Sequence, residues 1–241
     1  MAYIRTDDSH YKSIASKIRE KTGLPTTYKP YEMSNGIEEV YGVGYEVGKS
    51  DEGLVLQAVL DKTIVDLYSE STTSIKAHTL RECSKLRTAS FPNLTGEING
   101  YAFYYCTALE SVYFPNAATF LGTQAFASCS KLKHASFPKI SYINGDPFLN
   151  SGVEVVDFGN IQTIFAQPFQ GCSAFKALIL RRSGVCTLSQ SNAFAGTNIA
   201  SGTAHIYVPK SLVDSYKAAT NWSNYASQIR AIEDYPDITG G

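Results

Sequence analysis

The sequence predicts a β-rich solenoid, a fold in which short coils of chain stack along one axis. The first observation is a fixed period: Cys83, Cys106 and Cys129 lie 23 residues apart, and Cys172 follows after 43. That gap is the sum of a 22- and a 21-residue unit, with Ser151 in the cysteine position between them. The second observation is a large apolar residue three positions before and three after each cysteine. Such a period predicts stacked units, because one unit cannot bury its own apolar side.

Composition limits the function classes. The chain has 241 residues, of which 44% are hydrophobic and 18% charged, which is enough to bury a core. The formal net charge of −1 gives no electrostatic footprint for nucleic acid. The apolar runs are too short to cross a bilayer, and the polar start is unlike a secretory signal. We therefore expect a protein made in the cytoplasm, without nucleic-acid binding or membrane insertion.

Residues 1–53 predict a helical segment for attachment or oligomerisation, followed by a linker. Residues 8–20 place apolar side chains at helical spacing, and a second helical pattern runs from Pro30 to Gly48. Its glycines make it a poor isolated helix, so it is either a linker or a helix tightened by partners. The face expected to form a homo-oligomer consists of Met33, Ile37, Val40, Tyr41 and Gly44.

Residues 54–74 predict an N-terminal cap with a strand at 64–68, and residues 75–205 predict the repeats. Each repeat begins with an apolar residue, continues through Ala-Phe or Pro-Phe, cysteine and leucine, and ends in a short strand before Phe-Pro. We expect one column of stacked core side chains made of Phe91, Phe114, Phe137, Phe158 and Leu180. We expect a second column made of Phe103, Phe126, Phe148, Phe169 and Phe194.

Residues 206–241 predict a C-terminal cap. After a strand, the segment reads as a short helix with Ser211 as its N-cap and with Leu212, Val213 and Tyr216 facing inward. Trp222, the one tryptophan, follows. We expect this segment to close the stack, because a terminal coil without an atypical outer face would invite end-to-end association.

The in-register cysteines predict buried, reduced thiols that pack as small hydrophobes. Stacked coils lie about 4.8 Å apart, so a disulfide between neighbours is sterically allowed. A reducing compartment favours the reduced form. Cys186 is out of register and receives no role.

No motif predicts catalysis, a metal or a cofactor. The sequence at 44–50 departs from the spacing of a phosphate-binding loop, and the four histidines have no partners at metal-ligand spacing. Two glycosylation patterns, at Asn93 and Asn221, are expected to be coincidental. A glycan-cleaving enzyme stays an alternative, and Glu110 or Asp157 would be its catalytic carboxylate.

The outward face of the repeat strands is the candidate binding face, because solenoids present extended surfaces to partners. The alternative is a merely solvated sheet. The residues expected to bind are Thr88, Ser90, Glu110, Ser111, Tyr113, Lys133, His134, Ser136, Asp157 and Lys176. Arg87, Val155, Ala177 and Ile179 also fall on this side of the strands or flank them.

The repeat frame, clearest at 98–115, resembles the BspA-type leucine-rich repeat, and the segment 206–222 is similar to an ending often attached to such repeats. The resemblance covers about 75–209. It implies a right-handed solenoid with one short strand per coil. Members of the family occur among bacterial and protist surface proteins, adhesins and phage-encoded proteins. Because the sequence offers no catalytic site, we expect a non-enzymatic protein.

The stretches IASKIREKTG and YKPYEMSNGIEEV resemble an N-terminal helical segment of virion-associated proteins from phages and prophages of Gram-positive bacteria. Without an export signal or wall anchor, we expect a phage tail or virion protein rather than a cell-surface adhesin. Its expected partners are virion proteins or further copies through residues 1–53, and a protein or surface glycan through the repeat face. The adhesin, located on the bacterial surface, is the alternative.

Overall fold

The computed structural model describes residues 3–6, 62 and 64–239, apart from 71, 118 and 166, with the backbone alone at 3–6, 64 and 239. This part of the chain is a β-solenoid of about seven coils, which confirms the predicted fold class. The two predicted N-terminal helices, with Met33, Ile37, Val40, Tyr41 and Gly44, lie outside the described residues. No helix among the described residues is long and apolar enough to span a bilayer.

The elements are short, as the repeat length requires. The strands are β1 (Tyr3–Thr6), β2 (Ile64–Tyr68), β3 (Thr88–Ser90), β4 (Ser111–Tyr113), β5 (Phe120–Leu121), β6 (His134–Phe137), β7 (Tyr142–Ile143), β8 (Val155–Phe158), β9 (Thr163–Ile164), β10 (Ala177–Leu180), β11 (Thr187–Leu188), β12 (His205–Val208) and β13 (Ile229–Ala231). The α-helices are α1 (Val213–Ala218) and α2 (Pro236–Thr239), and 3-10 turns occupy Lys210–Leu212, Trp222–Gln228 and Ile232–Asp234.

One wall of the solenoid, the strand wall, is built from β2, β3, β4, β6, β8, β10 and β12. Its strands pair in parallel and in register, so that residues at equal positions of successive coils lie side by side. The hydrogen-bonded ladder has two parts, β1 to β4 and β6 to β13, and is interrupted between β4 and β6. Strand β1 adds to β2 in antiparallel fashion, which the sequence did not predict.

A second wall, the short-strand wall, consists of β5, β7, β9 and β11, which also pair in parallel. Isolated bridges from Ile75 to Ile98 and from Ile98 to Leu121 extend it toward the N-terminus. The sequence predicted one strand per coil, and this second strand was missed because only two residues per coil take part. Their inward members, such as Ile143 and Ile164, are buried in the core.

The predicted phenylalanine columns are present in the core. Along the second column, ring centroids lie 4.9 Å apart from Phe103 to Phe126, 5.7 Å from Phe126 to Phe148 and 5.7 Å from Phe148 to Phe169. A step of 6.3 Å from Phe169 to Phe194 completes it. These parallel-stacked rings are fully buried, which confirms them as packing residues.

The first column is buried along its whole length as well. Phe91 stacks on Phe114 at 5.5 Å, and Phe137 stacks on Phe158 at 5.7 Å. Leu180 lies opposite Phe158 in the ladder from β8 to β10. Both columns therefore belong to one continuous core that the walls enclose.

The remaining side of each coil, the turn wall, contains the cysteine positions and follows a recurrent backbone geometry. The residue directly before the cysteine position has a left-handed backbone in six coils. These residues are Glu82, Tyr105, Ser128, Asn150, Gly171 and Gly196, with φ between 54° and 72°. The coil thus turns sharply just before each cysteine, which brings the chain back toward the strand wall.

The C-terminal segment covers the last coil through buried aromatic residues. The Trp222 Nε1 donates to the Cys186 carbonyl at 2.6 Å, and the Cys186 N–H donates to the Tyr216 hydroxyl at 2.9 Å. Tyr216 is buried as predicted. The predicted cap at Ser211 is wrong: α1 begins at Val213, and Ser211 lies in the preceding 3-10 turn, where no side chain caps either helix.

Candidate functional site

A row of alternating charges flanks the strand wall, one residue before each strand. The row consists of Arg87, Glu110, Lys133, Glu154 and Lys176. The Arg87 guanidinium lies 3.2 Å from the Glu110 carboxylate, and Glu154 bridges Lys133 at 3.3 Å and Lys176 at 2.5 Å. The step from Glu110 to Lys133 coincides with the interruption of the ladder. Sequence analysis placed Arg87, Glu110, Lys133 and Lys176 on or beside the binding face, and the structure shows that each of them pairs with a neighbouring charge of this row.

The two lysines keep Glu154 ionised. Its pKa is lowered, first by the hydrogen bond from Lys176 and then by the one from Lys133. Asp157 differs, because burial raises its pKa against the opposing effect of Arg181. The Arg181 Nε donates to both Asp157 oxygens, at 3.0 and 2.8 Å. Asp157 is therefore a partly buried, paired carboxylate and is poorly placed for direct contact with a partner.

The exposed centre of the candidate face lies on β4 and β6. Tyr113 is the most exposed large residue there, with 59% of its surface accessible. Ser111, His134 and Ser136 are exposed around it. Thr88 and Ser90 are only half-buried, and the Thr88 hydroxyl donates to Asp66 at 2.8 Å.

The C-terminal end of this face is covered, contrary to the sequence prediction. Ala177 and Ile179 were expected to point to solvent, but both are buried in a separate apolar cluster with Tyr207. Ile232 packs against that cluster, and the Tyr235 ring meets Tyr207 edge-on at 5.4 Å. The C-terminal segment thus limits the open strand wall to the coils before β10.

Sequence reasoning missed a groove on the short-strand wall. It has a volume of about 500 Å³ and is lined by Glu97, Thr119, Phe120, Tyr142, Asn144 and Phe165. Tyr142 is 39% exposed and Phe165 is 44% exposed, and their rings stack with centroids 6.4 Å apart. The signal was available: three successive coils carry an aromatic residue directly beside the apolar residue that begins the repeat.

A second aromatic cluster, on the turn wall, was also missed. His78 stacks on Tyr101 at 4.9 Å, and Tyr104 contacts both Tyr101 and Tyr105 at 5.6 and 5.0 Å. The Arg81 guanidinium lies 5.2 Å from the centre of the Tyr104 ring. Most of these rings contact one another or the Arg81 cation, so we interpret the cluster as packing on the surface.

The cysteines are packing residues that also form hydrogen bonds. All five are free and buried. The thiols of Cys106, Cys129 and Cys172 donate to carbonyls of the preceding coil, at 3.1, 3.1 and 2.9 Å. Burial raises the pKa of each of these thiols and brings that of Cys186 to about 12. Thiolate chemistry is therefore suppressed at neutral pH.

The other chemical candidates gain no support. Glu110 and Asp157, proposed for glycan cleavage, each pair with an arginine. Glu110 precedes β4 and Asp157 lies in β8, and these strands belong to different sheets. Among the described residues, no three histidine, cysteine, aspartate or glutamate side chains converge as metal ligands. The amide nitrogens of Asn93 and Asn221 donate to backbone carbonyls at 2.9 and 2.7 Å. The sequence at 44–50 lies outside the described residues.

Comparison with known families bears out the repeat resemblance. The family described as BspA type leucine rich repeat region matches residues 63–176 and 96–225, with six copies of the repeat. The matched stretch includes every strand from β2 to β12. A comparison with curated proteins finds no match. With more than half of its length matched, the chain belongs to the BspA-type leucine-rich repeat family.

Proposed function

We propose that this chain is a non-enzymatic recognition protein that binds a protein or surface glycan through the open part of its strand wall. The observation that carries the proposal is an exposed patch on two neighbouring coils of the strand wall. Ser111 and Tyr113 of β4 and His134 and Ser136 of β6 form it, on either side of the interruption of the ladder. An exposed tyrosine at the centre of a pre-formed surface is a common anchor of interfaces. Membership of a repeat family that presents extended surfaces supports the same function.

We further propose that residues 1–53 attach the protein to a phage or prophage virion, in the tail or another part, or to further copies of itself. The support is the resemblance of two N-terminal stretches to virion-associated proteins. The alternative is a bacterial cell-surface adhesin, which the repeat family itself favours. The two differ in location: purified particles for the first, and intact uninfected cells for the second.

The experiment compares labelled chains 1–241 and 54–241 for binding to purified particles and to host cells. We expect particle association to require residues 1–53 and cell binding to survive without them. Cell binding that disappears with residues 1–53 would contradict the proposed division of roles. Detection of the protein on uninfected cells, and not on particles, would favour the adhesin.

A matched pair of variants tests the strand wall. We expect Tyr113→Ala combined with His134→Ala to lower cell binding at least about tenfold. The reason is that an aromatic side chain that becomes buried in an interface contributes more than about 1.4 kcal/mol to binding. Tyr105→Asn is the control, because it removes a ring of 48% exposure from the turn wall. Asparagine tolerates the left-handed backbone at that position. Equal effects of both variants would refute a role of the strand wall.

A further inference from the structure

We propose that the groove on the short-strand wall is a second binding site, and that it takes a neutral glycan chain lying along the solenoid axis. This inference goes beyond the proposed function, because it assigns a ligand to a different wall and to different residues. Three features of the groove carry it: its exposed rings, the hydrogen-bonding capacity left on its polar side chains, and the repetition of rings on successive coils.

The rings leave apolar surface exposed to solvent, although Tyr142 and Phe165 also contact each other. Phe120 and Tyr142 are partners in the ladder from β5 to β7, and Phe165 lies on the next coil. The groove therefore presents one aromatic side chain per coil over three coils. Tyr142 and Phe165 stay substantially exposed, whereas the core rings are fully buried. Flat aromatic surface of this kind stacks against the C–H face of a sugar ring, which is apolar while its edges carry hydroxyl groups.

The polar groups at the groove's edge match those hydroxyl edges. Among the described residues, the Glu97 carboxylate is exposed and has no hydrogen-bond or ion-pair partner. The Asn144 side-chain oxygen accepts from the Gly145 N–H at 2.9 Å, which orients the amide and leaves its NH₂ group available. The Tyr142 hydroxyl donates to Gln162 at 3.2 Å, so its oxygen can still accept. A few polar groups around an apolar floor are the usual composition of a small-molecule site.

The charge of the groove lining and the spacing of the coils limit the class of ligand further. Of the described residues that line the groove, Glu97 alone carries a charge, so the groove disfavours uronic-acid or phosphate-bearing polymers and accepts neutral sugars. Coils repeat about every 4.8 Å along the axis. The length of one hexopyranose unit in an extended glycan is similar, so successive sugars meet successive rings. A globular protein partner would need a broader apolar patch than these three rings supply.

The test is calorimetric titration of the full chain with two soluble hexasaccharides, one of β-linked glucose and one of β-linked N-acetylglucosamine. We expect at least one to bind, and we expect Tyr142→Ala and Phe165→Ala each to weaken binding about tenfold or more. Tyr142→Phe keeps the stacking surface and should retain most of the affinity. Tyr105→Asn, on the turn wall and outside both proposed sites, is the control and should leave the affinity unchanged. Because both altered rings are exposed, an unchanged unfolding midpoint should verify the fold of each variant.

Several results would overturn the proposal. These are the absence of binding to both hexasaccharides, binding that survives loss of both rings, and tighter binding of a uronic-acid hexasaccharide. Binding lost in Tyr113→Ala alone would move the glycan to the strand wall, which refutes the groove but supports the proposed function. Failure of the groove leaves the cell-binding test with Tyr113 and His134 unaffected, so the two proposals fail separately.

Discussion

At the scale of single residues, the left-handed backbone before each cysteine position explains why asparagine or glycine stands there in three coils. Asn150, Gly171 and Gly196 are residue types that favour a left-handed backbone, whereas Glu82, Tyr105 and Ser128 adopt it at a cost. The cost persists because the surrounding turn fixes the conformation. The Ser128 N–H, for example, donates to the Leu149 carbonyl of the next coil at 2.8 Å.

This strain predicts a stabilising substitution. Ser128→Gly should raise the free energy of unfolding by about 0.5–1 kcal/mol, because relief of the left-handed cost exceeds the added chain entropy. The measurement is the urea midpoint at constant slope. Gly196→Ala is the reverse control, since the added methyl group would meet no atom within 4 Å. The free energy of unfolding of this variant should fall by about 1 kcal/mol, because a φ of 70° is unfavourable for alanine. Destabilisation by Ser128→Gly would contradict the strain argument.

The cysteine position shows what a residue pattern can and cannot predict. Regular spacing predicted burial of Cys106, Cys129 and Cys172, and burial is confirmed. The hydrogen bonds from their thiols to the preceding coil were not predicted, because spacing reveals which residues align but not which atoms meet. Ser151 occupies the same position with a hydroxyl that contacts the Cys172 sulfur at 3.4 Å.

At the scale of elements, stacked rings connect successive coils through the core. Phe126 is central, with neighbouring centroids at 4.9 Å for Phe103, 5.7 Å for Phe148 and 5.8 Å for Phe137. It thus links its own coil to one coil on each side.

Truncation of this ring should be costly. Phe126→Ala is expected to lower the free energy of unfolding by about 3–5 kcal/mol, because it removes buried surface and leaves a cavity between two coils. Chemical denaturation provides the value. Phe165→Ala removes the same atoms from an exposed site and should change stability by less than about 0.5 kcal/mol. Similar losses of stability in both variants would refute the conclusion that the Phe126 ring connects neighbouring coils.

The strands differ in how far the sequence predicted them. Alternation of buried and exposed residues is clear in β6 and β8, where the strand wall was expected. The two-residue strands, such as β7, offer too short a pattern for periodicity to detect. For this reason the sequence did not predict the groove with Tyr142 and Phe165, whereas it did predict the exposed residues on β4 and β6.

At the scale of the whole molecule, the stack is a linear array in which each coil contacts its neighbours. The C-terminal segment continues the phenylalanine column, since Trp222 and Tyr225 lie 6.0 and 5.0 Å from Phe194. The sequence predicted this closure from an atypical ending. It did not predict that Ile232 and Tyr235 also cover part of the strand wall, because long-range packing of a short segment leaves no periodic pattern.

A linear array predicts a graded response to damage at one end. Trp222→Ala should reduce the hydrogen-exchange protection of β10 and β12 strongly and leave that of β3 and β4 nearly unchanged. Mass spectrometry of peptides along the chain measures this gradient. Trp222→Phe keeps a ring but loses the bond to the Cys186 carbonyl, so it should give a milder gradient of the same direction. A uniform loss along the chain would show that the coils unfold as one unit.

Because the charges beside the strand wall alternate in sign, this protein can gain or lose coils more easily in even numbers than singly. From Arg87 to Lys176 the sign changes at every coil, so duplication of a single coil would set two like charges side by side. Such a neighbour pair is unfavourable across adjacent strands. Duplication of two coils restores the alternation at both junctions. We therefore expect descendants of this gene to gain or lose repeats more readily in pairs than singly.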